Sequence, residues 1–428
     1  ADKTPPPARA PAPRGPPRPE LPPGPQPDHR GPSGAQVLVP DDGAAGSGVP
    51  SGAGGGPDHD IGPRGSKRLH RSAHDAARRL ARLRPGVAAS PVVAGIDDVA
   101  QAAGVSTATV SRALRGLPNV SEATRLRVLA EAARLGYVPT PSASSLATGR
   151  TRTIGVLTPW VNRWFFANVI EGAERALRDL GYDVLLYTFD VRRTSSRRRV
   201  DPSVLRHRVD GTLVVGLPLD DDEVRSLVGL ARPLAFVGSG PAEQVTVRLD
   251  DVATGRAATR HLLDLGHRVI GHVTGVPDLV SSWSPPVERA RGYVRALEEA
   301  GVVVQPDREV SGDFDVAGGR ESAGELRRRR PDVTAVFAAS DEMAMGAILA
   351  ARDLGRRVPE DLSVVGVDGH DLGELVGLTT IAQDAYQQGF DAALLLLDMI
   401  NGAPVPESLT YPTELVRRGS TARLPPGA

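Results

Sequence analysis

"GVSTATVSRALRG", residues 104–116, is the stretch that decides how the first ordered part of this chain folds. Ser106 can cap a helix in which Val110 and Ala113 share one apolar side. The other side carries hydroxyl groups and an arginine, Arg112. Taken alone, this pattern fits an ordinary amphipathic helix as well as a helix that reads DNA, so the flanking residues have to decide between the two.

The flanking residues predict two more short helices. The helix before the stretch ends at Gly104, and its apolar residues recur at helical spacing: Ile96, Val99, Ala100 and Ala103. Ser121 can cap a third helix that ends at Gly136, with a predicted buried stripe of Leu126, Leu129, Ala130 and Ala133. Three short helices with a Gly-containing turn between the first two indicate a helix-turn-helix unit over residues 95–139.

Bulk composition limits the classes of protein to be considered. A chain of 428 residues suits two or three domains, and its net charge of zero means that any contact with nucleic acid must come from local patches. The sequence contains no cysteine, which excludes disulfides and thiolate metal sites. We see neither an apolar run of the roughly 18 residues that a membrane span needs nor a signal-peptide pattern, so we expect a cytoplasmic protein with no membrane partner.

Both ends of the chain are predicted to be disordered. Residues 1–60 contain 16 prolines and 11 glycines, a composition that cannot bury enough apolar surface to fold. Eight Lys or Arg and one acid follow between Arg64 and Arg84, which fits a phosphate-binding tail as well as a solvated one. We therefore predict disorder over residues 1–94 and 419–428.

The chain beyond Thr153 alternates continuous apolar runs with helical patterns, as buried parallel strands with crossover helices do. The runs are Ile154–Leu157, Val184–Tyr187, Thr212–Val215, Ala235–Val237, Val269–Val273, Val333–Ala338 and Val364–Val367. "GAERALRDLGYDV" (172–184) and "GYVRALEEAGVVV" (292–304) form a faint repeat in which a helix precedes a strand. The prediction is an α/β domain of two similar lobes over residues 152–418.

Several segments then resemble the lactose-repressor (LacI/GalR) family of bacterial transcription regulators, in order from about residue 95 to about residue 418. They include "GIDDVAQAAGVSTATVSRALRG", "SLATGRTRTIGVL", "HLLDLGHRVIGHVTG" and "AVFAASDEMAMGAI". The resemblance implies a helix-turn-helix unit, a hinge helix and a two-lobed periplasmic-binding-protein-like domain that binds a small effector. It implies no cofactor, no metal and no catalytic residue.

The second helix of a helix-turn-helix lies in the major groove, where an arginine can bond guanine and a methyl group can touch thymine. The resemblance implies that Thr107, Ala108 and Arg112 select bases. Ser106, Thr109, Ser111 and Asn119 suit phosphate contacts, which position the protein without specifying sequence. Residues 91–150 hold six Arg and four acids, and this weak surplus argues for a homodimer on a pseudo-palindromic operator.

Residues 140–151, "TPSASSLATGRT", are predicted to be the hinge. Thr140 can cap a helix, and Pro141 suits its first position. A helix of about eight residues is marginal alone in water. The resemblance implies that it folds on the operator and inserts Leu146 as an apolar wedge into the minor groove. A plain polar linker is the alternative.

Two lobes side by side make a cleft, and ligands bind where strand ends face one another. The aromatic-rich segment after the first strand should line this cleft with Trp160, Asn162, Trp164 and Phe165. The aromatic rings of this segment fit core packing equally well. The resemblance gives Arg289 as a ligand-holding guanidinium. Ser340, Asp341 and Asp368 follow strands, with helix capping as the alternative for Asp341, and the resemblance implies that Gln383 is a polar residue near the pocket or the dimer interface. We expect Arg289 and Asp368 to hold the effector from opposite sides, and the ability of Asp368 to bond vicinal hydroxyls favours a sugar.

The sequence lacks the motifs of the enzyme classes that share this kind of α/β pattern. No Gly-x-Gly-x-x-Gly, Walker or Gly-x-Ser-x-Gly pattern follows the first strand, and the histidines form no spaced metal pair, which argues against an enzyme. A regulator that is independent of ligand or needs a co-effector, and a solute-binding protein without a regulatory role, remain the alternatives.

Overall fold

The computed structural model describes residues 94–137, 149–189, 199–275 and 283–425. The first of these ranges is three helices: α1 (Ile96–Ala103), α2 (Thr107–Leu114) and α3 (Glu122–Leu135). Gly104 ends α1 in the left-handed conformation, with φ of 64°. This turn sets α2 across α1 and completes the predicted helix-turn-helix unit.

The buried stripe predicted for α3 is wrong. Leu126, Leu129, Ala130 and Ala133 are exposed, and the helix instead buries Val128 and Ala132. The error is one of helical phase, because both sides of α3 carry apolar residues and spacing alone does not say which side meets the core. The core of the unit also contains Val99, Val110 and Ala113.

Lobe 1 is built on a parallel sheet with the strand order β11-β5-β4-β3-β1-β2. Its strands are β1 (Thr153–Thr158), β2 (Asp183–Thr188), β3 (Gly211–Val215), β4 (Leu234–Val237), β5 (Val245–Leu249) and β11 (Ser408–Tyr411). Its helices are α4 (Trp164–Asp179), α5 (Asp221–Val228) and α10 (Ala385–Ile400), with a 3-10 turn at Pro202–Val204.

Lobe 2 has the strand order β12-β10-β9-β8-β6-β7, and only β12 runs antiparallel to its neighbour. Its strands are β6 (Ile270–Thr274), β7 (Glu309–Ser311), β8 (Ala335–Ala338), β9 (Ser363–Asp368), β10 (Thr379–Ala382) and β12 (Glu414–Val416). Its helices are α6 (Asp251–Asp264), α7 (Pro285–Glu299), α8 (Val316–Arg329) and α9 (Asp341–Asp353), with 3-10 turns at Pro306–Arg308 and Asp371–Val376. The two parallel α/β lobes predicted from the sequence are confirmed.

The internal repeat has a packing origin. Gly172 of α4 lies against the backbone of α10, and Gly292 of α7 lies against the backbone of α6. A Cβ atom would come within 2.0 Å of the Tyr386 carbonyl oxygen in the first case and 2.2 Å of the Val252 carbonyl oxygen in the second. Each lobe therefore requires glycine where two helices cross. The strand expected directly after the second repeat is displaced, since β7 begins only at Glu309.

The predicted end of the ordered chain is too early. Ser420 is buried and donates its hydroxyl to the Val364 carbonyl over 2.6 Å, and it accepts the Thr379 amide over 2.8 Å. The Leu424 amide bonds the Leu265 carbonyl over 2.9 Å. Disorder over 419–428 is thus wrong for 419–425, because polar groups of lobe 2 need this segment as a partner.

Candidate functional site

The first candidate site is the exposed side of α2. The Ser106 hydroxyl accepts the Thr109 amide over 3.2 Å and lies 2.9 Å from the Thr109 hydroxyl, so these two residues form the cap. The side chains of Thr107, Ala108 and Arg112 are exposed, and Ser111 is half-buried beside them. Asn119, exposed in the following turn, has φ of 69°. Residues named as base readers thus share one accessible face.

Arginines of α3 hold this face in place. Arg125 donates to the Ala113 carbonyl over 3.2 Å and to the Leu117 carbonyl over 3.0 Å. Arg127 donates to the Ala103 carbonyl over 3.0 Å. The carbonyls at the ends of α1 and α2 are thereby satisfied by side chains from the third helix. The hinge residues Thr140, Pro141 and Leu146 lie outside the described residues, and Gly149 to Thr151 are not helical.

The second candidate site is a cavity of about 110 Å³ between the two lobes. It lies at the carboxyl ends of the strands of both sheets, where a doubly wound fold binds ligands. Its walls include six residues that the sequence predicted: Trp160, Phe165, Arg289, Ser340, Asp368 and Gln383. The rest of the lining comes mostly from loops and helices and includes Phe166, Phe314, Asp251 and Ser284.

Lobe 2 supplies the charged end of the cavity. Arg289, on α7, bonds Asp251 of α6 from Nε to Oδ1 over 2.7 Å and donates to the Ala339 carbonyl over 2.5 Å. Both side chains are almost wholly buried, at 8% and 3% exposure. Burial raises the pKa of Asp251, while the Arg289 guanidinium opposes that rise. The pair is therefore a fixed feature of lobe 2 and a potential ligand contact at the same time.

Asp368 ends β9 beside this pair, in a backbone conformation that L-residues rarely adopt, with φ of 134°. Gln383 donates to its Oδ1 over 2.7 Å, and Gln388 donates to Gln383 over 2.9 Å. Burial raises the pKa of Asp368 to about 8, although the Arg289 guanidinium acts in the opposite direction. A strained, buried carboxyl group held by an amide chain is typical of a functional position.

Lobe 1 supplies the apolar end. The rings of Trp160 and Phe166 meet edge to face at 5.3 Å, and Phe165 and Phe166 do so at the same distance. Gly216 and Gly238, with φ of 50° and 82°, end β3 and β4 beneath the two phenylalanines. A Cβ atom would lie 2.8 Å from the Phe166 ring at the first and 2.9 Å from the Phe165 ring at the second. The glycines let aromatic rings lie directly on the strand ends.

Three predicted effector residues do not line the cavity. Asn162 is exposed, and Trp164 stacks on His370 at a centroid distance of 5.7 Å. Asp341 is buried and accepts the amides of Gly369 and His370 over 2.9 and 2.8 Å, so it braces the loop after Asp368. Ser340 lines the cavity and also caps α9 through the Met343 amide.

The expectation that Arg289 and Asp368 face each other across the cleft is wrong. Both belong to lobe 2, because α7 packs on α6 and β9 is central in the second sheet. The sequence could not assign α7 and β9 to one lobe without the order in which strands pair. Asp251 follows β5, a strand that none of the predicted apolar runs covers, so the rule used for the other polar residues did not reach it. Phe314 and Ser284 lie in loops with no periodic signal.

Ion pairs join the lobes at the mouth of the cleft. Arg163, just before α4 of lobe 1, lies 2.6 Å from Asp315 and 3.7 Å from Glu342, both of lobe 2. The Trp164 amide also donates to Glu342 over 3.2 Å. These side chains are 14–18% exposed. The two lobes therefore touch through charges outside the cavity as well as through the rings of Trp160 and Phe314, 6.4 Å apart.

Within the described ranges, no group of three or more His, Asp or Glu side chains is placed to hold a metal ion. No helix in that part of the chain is both long and apolar enough to cross a bilayer.

Comparison with known proteins covers both candidate sites. The profile of "Bacterial regulatory proteins, lacI family" matches residues 95–140, and that of "Periplasmic binding protein-like domain" matches residues 259–421. The HTH-type transcriptional repressor CytR of Escherichia coli K12 is 37% identical over 339 residues, which cover 78% of this chain and 97% of CytR. The regulator CelR of Thermobifida fusca is 36% identical over 337 residues, covering 76% and 97%.

Solved structures agree with these relatives. The lac repressor dimer bound to operator and the anti-inducer ONPF superposes with a TM-score of 0.69 at 28% identity, covering 77% of this chain and 99% of that one. The complex of the transcriptional regulator CelR with cellobiose gives 0.57 at 33% identity, covering 76% and 99%. With the helix-turn-helix unit, the paired lobes and these matches, the chain belongs to the lacI family of bacterial DNA-binding transcription regulators.

Proposed function

We propose that this protein is a repressor that binds a pseudo-palindromic operator as a homodimer and is switched by a small effector, a sugar, bound between the lobes. The observation that carries the proposal is the cavity with aromatic rings on one wall and buried hydrogen-bonding groups on the other. Aromatic faces beside a carboxyl and an amide suit a hydroxyl-rich ring. The CelR complex with cellobiose and the ribose-bound regulator of Enterococcus faecium support this class of effector. The role is binding without catalysis, in the cytoplasm where the chromosome lies.

The corrected geometry divides the work between the lobes. Lobe 2 holds the polar side of the effector through Arg289, Asp368, Ser340 and Gln383, and lobe 1 closes Trp160 and Phe165 over its apolar face. An effector shifts the lobe equilibrium only through different contacts in the two arrangements. Closure provides that difference, because the aromatic contacts form only when lobe 1 moves in.

The hinge is attached to lobe 1 and follows its movement. Asp210 of lobe 1 accepts the Thr151 amide over 2.7 Å, the Thr151 hydroxyl over 3.0 Å and the Arg152 amide over 2.8 Å. The end of the hinge at Thr151 therefore moves with lobe 1. In a dimer, rotation of lobe 1 in each protomer changes the distance between the two hinges. That distance decides whether the two Leu146 side chains can meet in the minor groove.

A screen followed by an operator measurement tests the switch. Thermal-shift assays with cellobiose, ribose, other sugars and nucleobases identify the binder, and an operator recovered from a random DNA library serves as the fluorescent probe. We expect the binding sugar to change operator affinity about 5- to 150-fold, the usual range of allosteric coupling. A sugar that saturates the cleft and leaves operator affinity unchanged would refute the proposal.

The reading face has its own test. Arg112→Ala should weaken operator binding by about 1–3 kcal/mol and relax preference at one base pair of each half-site. Arg134→Ala is the matched control, since this exposed arginine of α3 pairs with Glu131. If a repeated selection returned the same site with the same affinity, Arg112 would be no base reader.

A second candidate function has one observation in its favour. The pairs of Arg163 with Asp315 and Glu342 join the lobes through side chains of the protein itself. A regulator closed by its own ion pairs would bind its operator independently of a ligand. A screen in which no sugar or nucleobase binds, with operator affinity already high, would favour that candidate.

A further inference from the structure

A cluster of basic side chains on lobe 1 has no role in reading bases or in binding an effector. Arg206, His207 and Arg232 line a groove of about 180 Å³, and Arg208 is exposed beside it. No acidic residue lines this groove. We call these four residues the basic edge.

The basic edge lies at the opposite end of the sheet from the cleft. Residues 206–208 immediately precede β3, and residue 232 precedes β4, the strand paired with β3. Both strands are parallel, so their amino ends share one edge and their carboxyl ends share the other, where the cavity lies. The effector site and the basic edge therefore do not overlap.

The charges at this edge are not neutralised by the protein. Other exposed arginines of lobe 1 have partners, such as Arg199 with Asp220 and Arg225 with Asp222. Among the described residues, no carboxylate forms an ion pair with Arg206, Arg208 or Arg232. The acid nearest in sequence, Asp210, is buried and directed at the amides of Thr151 and Arg152.

The equivalent edge of lobe 2 is arranged differently. Arg330, which precedes β8, pairs with Asp307 over 2.6 Å and with Asp332 over 2.8 Å. Arg357, which precedes β9, pairs with Asp361 over 3.2 Å. Arginine at this edge is thus a shared feature of the two lobes, but Arg330 and Arg357 of lobe 2 are paired with acids, whereas Arg206, Arg208 and Arg232 of lobe 1 are not.

The length of the tether keeps operator DNA within reach of the basic edge. Asp210, two residues after Arg208, holds the end of the hinge at Thr151. Residues 138–148 connect this part of lobe 1 to the helix-turn-helix unit. That connection spans at most about 40 Å. A duplex of about 20 base pairs measures about 68 Å at 3.4 Å per pair, which is longer than this connection. DNA held by the reading helices can therefore extend as far as the lobe to which the connection is attached.

We propose that the basic edge of lobe 1 is a second DNA-contacting surface, which binds phosphates of the duplex whose bases the reading helices select. Guanidinium groups suit phosphate oxygens, and such contacts add affinity without adding base preference. An acidic protein partner is the competing occupant, and the experiment distinguishes it because purified DNA is the only ligand present.

Salt dependence on one duplex tests the surface. Operator affinity is measured by fluorescence anisotropy from 50 to 200 mM salt on a duplex of about 40 base pairs, for the full chain and a triple variant, Arg206→Ala, Arg208→Ala and Arg232→Ala. Each lost phosphate contact should lower the slope of log affinity against log salt by about 0.9. We expect a fall of up to about 3 per protomer and an affinity loss of about tenfold or more at 100 mM, with base preference unchanged.

Two further variants make the result specific. Arg328→Ala, Arg352→Ala and Arg356→Ala remove equal charge from exposed positions of lobe 2 and should leave the slope near wild type. Replacing Arg206, Arg208 and Arg232 with lysine keeps the charge and should restore most of the slope. A lobe 1 alanine variant with the slope of its lobe 2 control would overturn the proposal and favour an acidic protein partner. Altered base preference would also overturn it, because that result would mean that the reading unit itself had been disturbed.

Discussion

Lobe 1 and lobe 2 share one architecture and present opposite chemistry to the same cleft. The strands of lobe 1 end in glycines overlaid by Phe165 and Phe166. The strands of lobe 2 end in Asp368 and in the Ala339 carbonyl that binds Arg289. An α/β lobe thus fixes where a ligand lies, while the residues after its strands decide how the ligand is held.

The cavity residues of the two lobes also differ in whether they contribute mainly to folding stability or to effector switching. Charged groups of lobe 2 satisfy one another when buried, so each is part of the fold before any effector arrives. The rings of lobe 1 pack on glycine and leave the centre of the cavity open. We therefore expect changes in lobe 2 to affect folding and binding together, and changes in lobe 1 to affect mainly binding and closure.

Arg289→Ala should have the largest effect. It leaves the buried Asp251 without its partner, and breaking a buried ion pair costs about 3–5 kcal/mol of unfolding free energy. Urea unfolding measures the loss, and effector binding should disappear with it. Arg295→Ala, on the exposed side of the same helix, is the control and should cost under about 0.5 kcal/mol. The double change Arg289→Met with Asp251→Asn should recover part of the stability, and unaltered unfolding of Arg289→Ala would contradict the structural role of the pair.

Arg163→Ala tests the contact between the lobes. Removing it leaves Asp315 and Glu342 facing lobe 1 without that cation, and a charged hydrogen bond contributes about 1.5–3 kcal/mol. We expect the effector-free protein to open, which small-angle scattering detects as a larger radius of gyration. Arg175→Ala, an exposed arginine of α4, is the control. An unchanged radius would mean that the aromatic contacts alone keep the lobes together.

Phe165→Leu should reduce effector affinity by about 1 kcal/mol while leaving effector-free operator binding intact, because it removes an aromatic face and no charge. Calorimetry with the sugar found by screening measures the change. Phe189→Leu alters an aromatic residue of lobe 1 that packs in the core and does not line the cavity. Equal losses in the two variants would argue that Phe165 stabilises the lobe and does not contact the effector.

Asp368→Asn should have the smallest effect, seen as a change in pH dependence. The pKa of Asp368 is about 8 in the folded protein against the ordinary 3.8, so between these values the folded state holds a proton that the unfolded chain has released. Its contribution is fully present below about pH 4 and is lost as pH rises through 8. From pH 6.5 to 7.5, the unfolding free energy of wild type should fall by about 1 kcal/mol more than that of the variant. Parallel pH profiles would show that Asp368 is ionised in this range.

Much of this architecture could be predicted from local pattern. The turn at Gly104, the cap at Ser106 and seven apolar strand runs were all readable, because each depends on residues near in sequence. The phase of α3 was not, since Leu126 and Val128 are equally apolar and only packing against α1 and α2 selects Val128. Strands β5, β7, β10, β11 and β12 were missed as well, because none of them is a continuous apolar run of the kind that marked the other seven.

By itself, the sequence determined the class of the protein and the order of its parts, because propensity, capping and hydrophobic period act over a few residues. It also named six of the residues around the cavity. Only the tertiary structure decided that Arg289 and Asp368 share a lobe, that Asp251 is the partner of Arg289 and that Asp341 braces a loop. It alone also paired Arg330 before β8 and Arg357 before β9 with acids, while it left Arg206, Arg208 and Arg232 without such partners. The physical reason is the same in each case: ion pairing and burial depend on which strands lie side by side, and strand order is set by contacts among segments far apart in the chain.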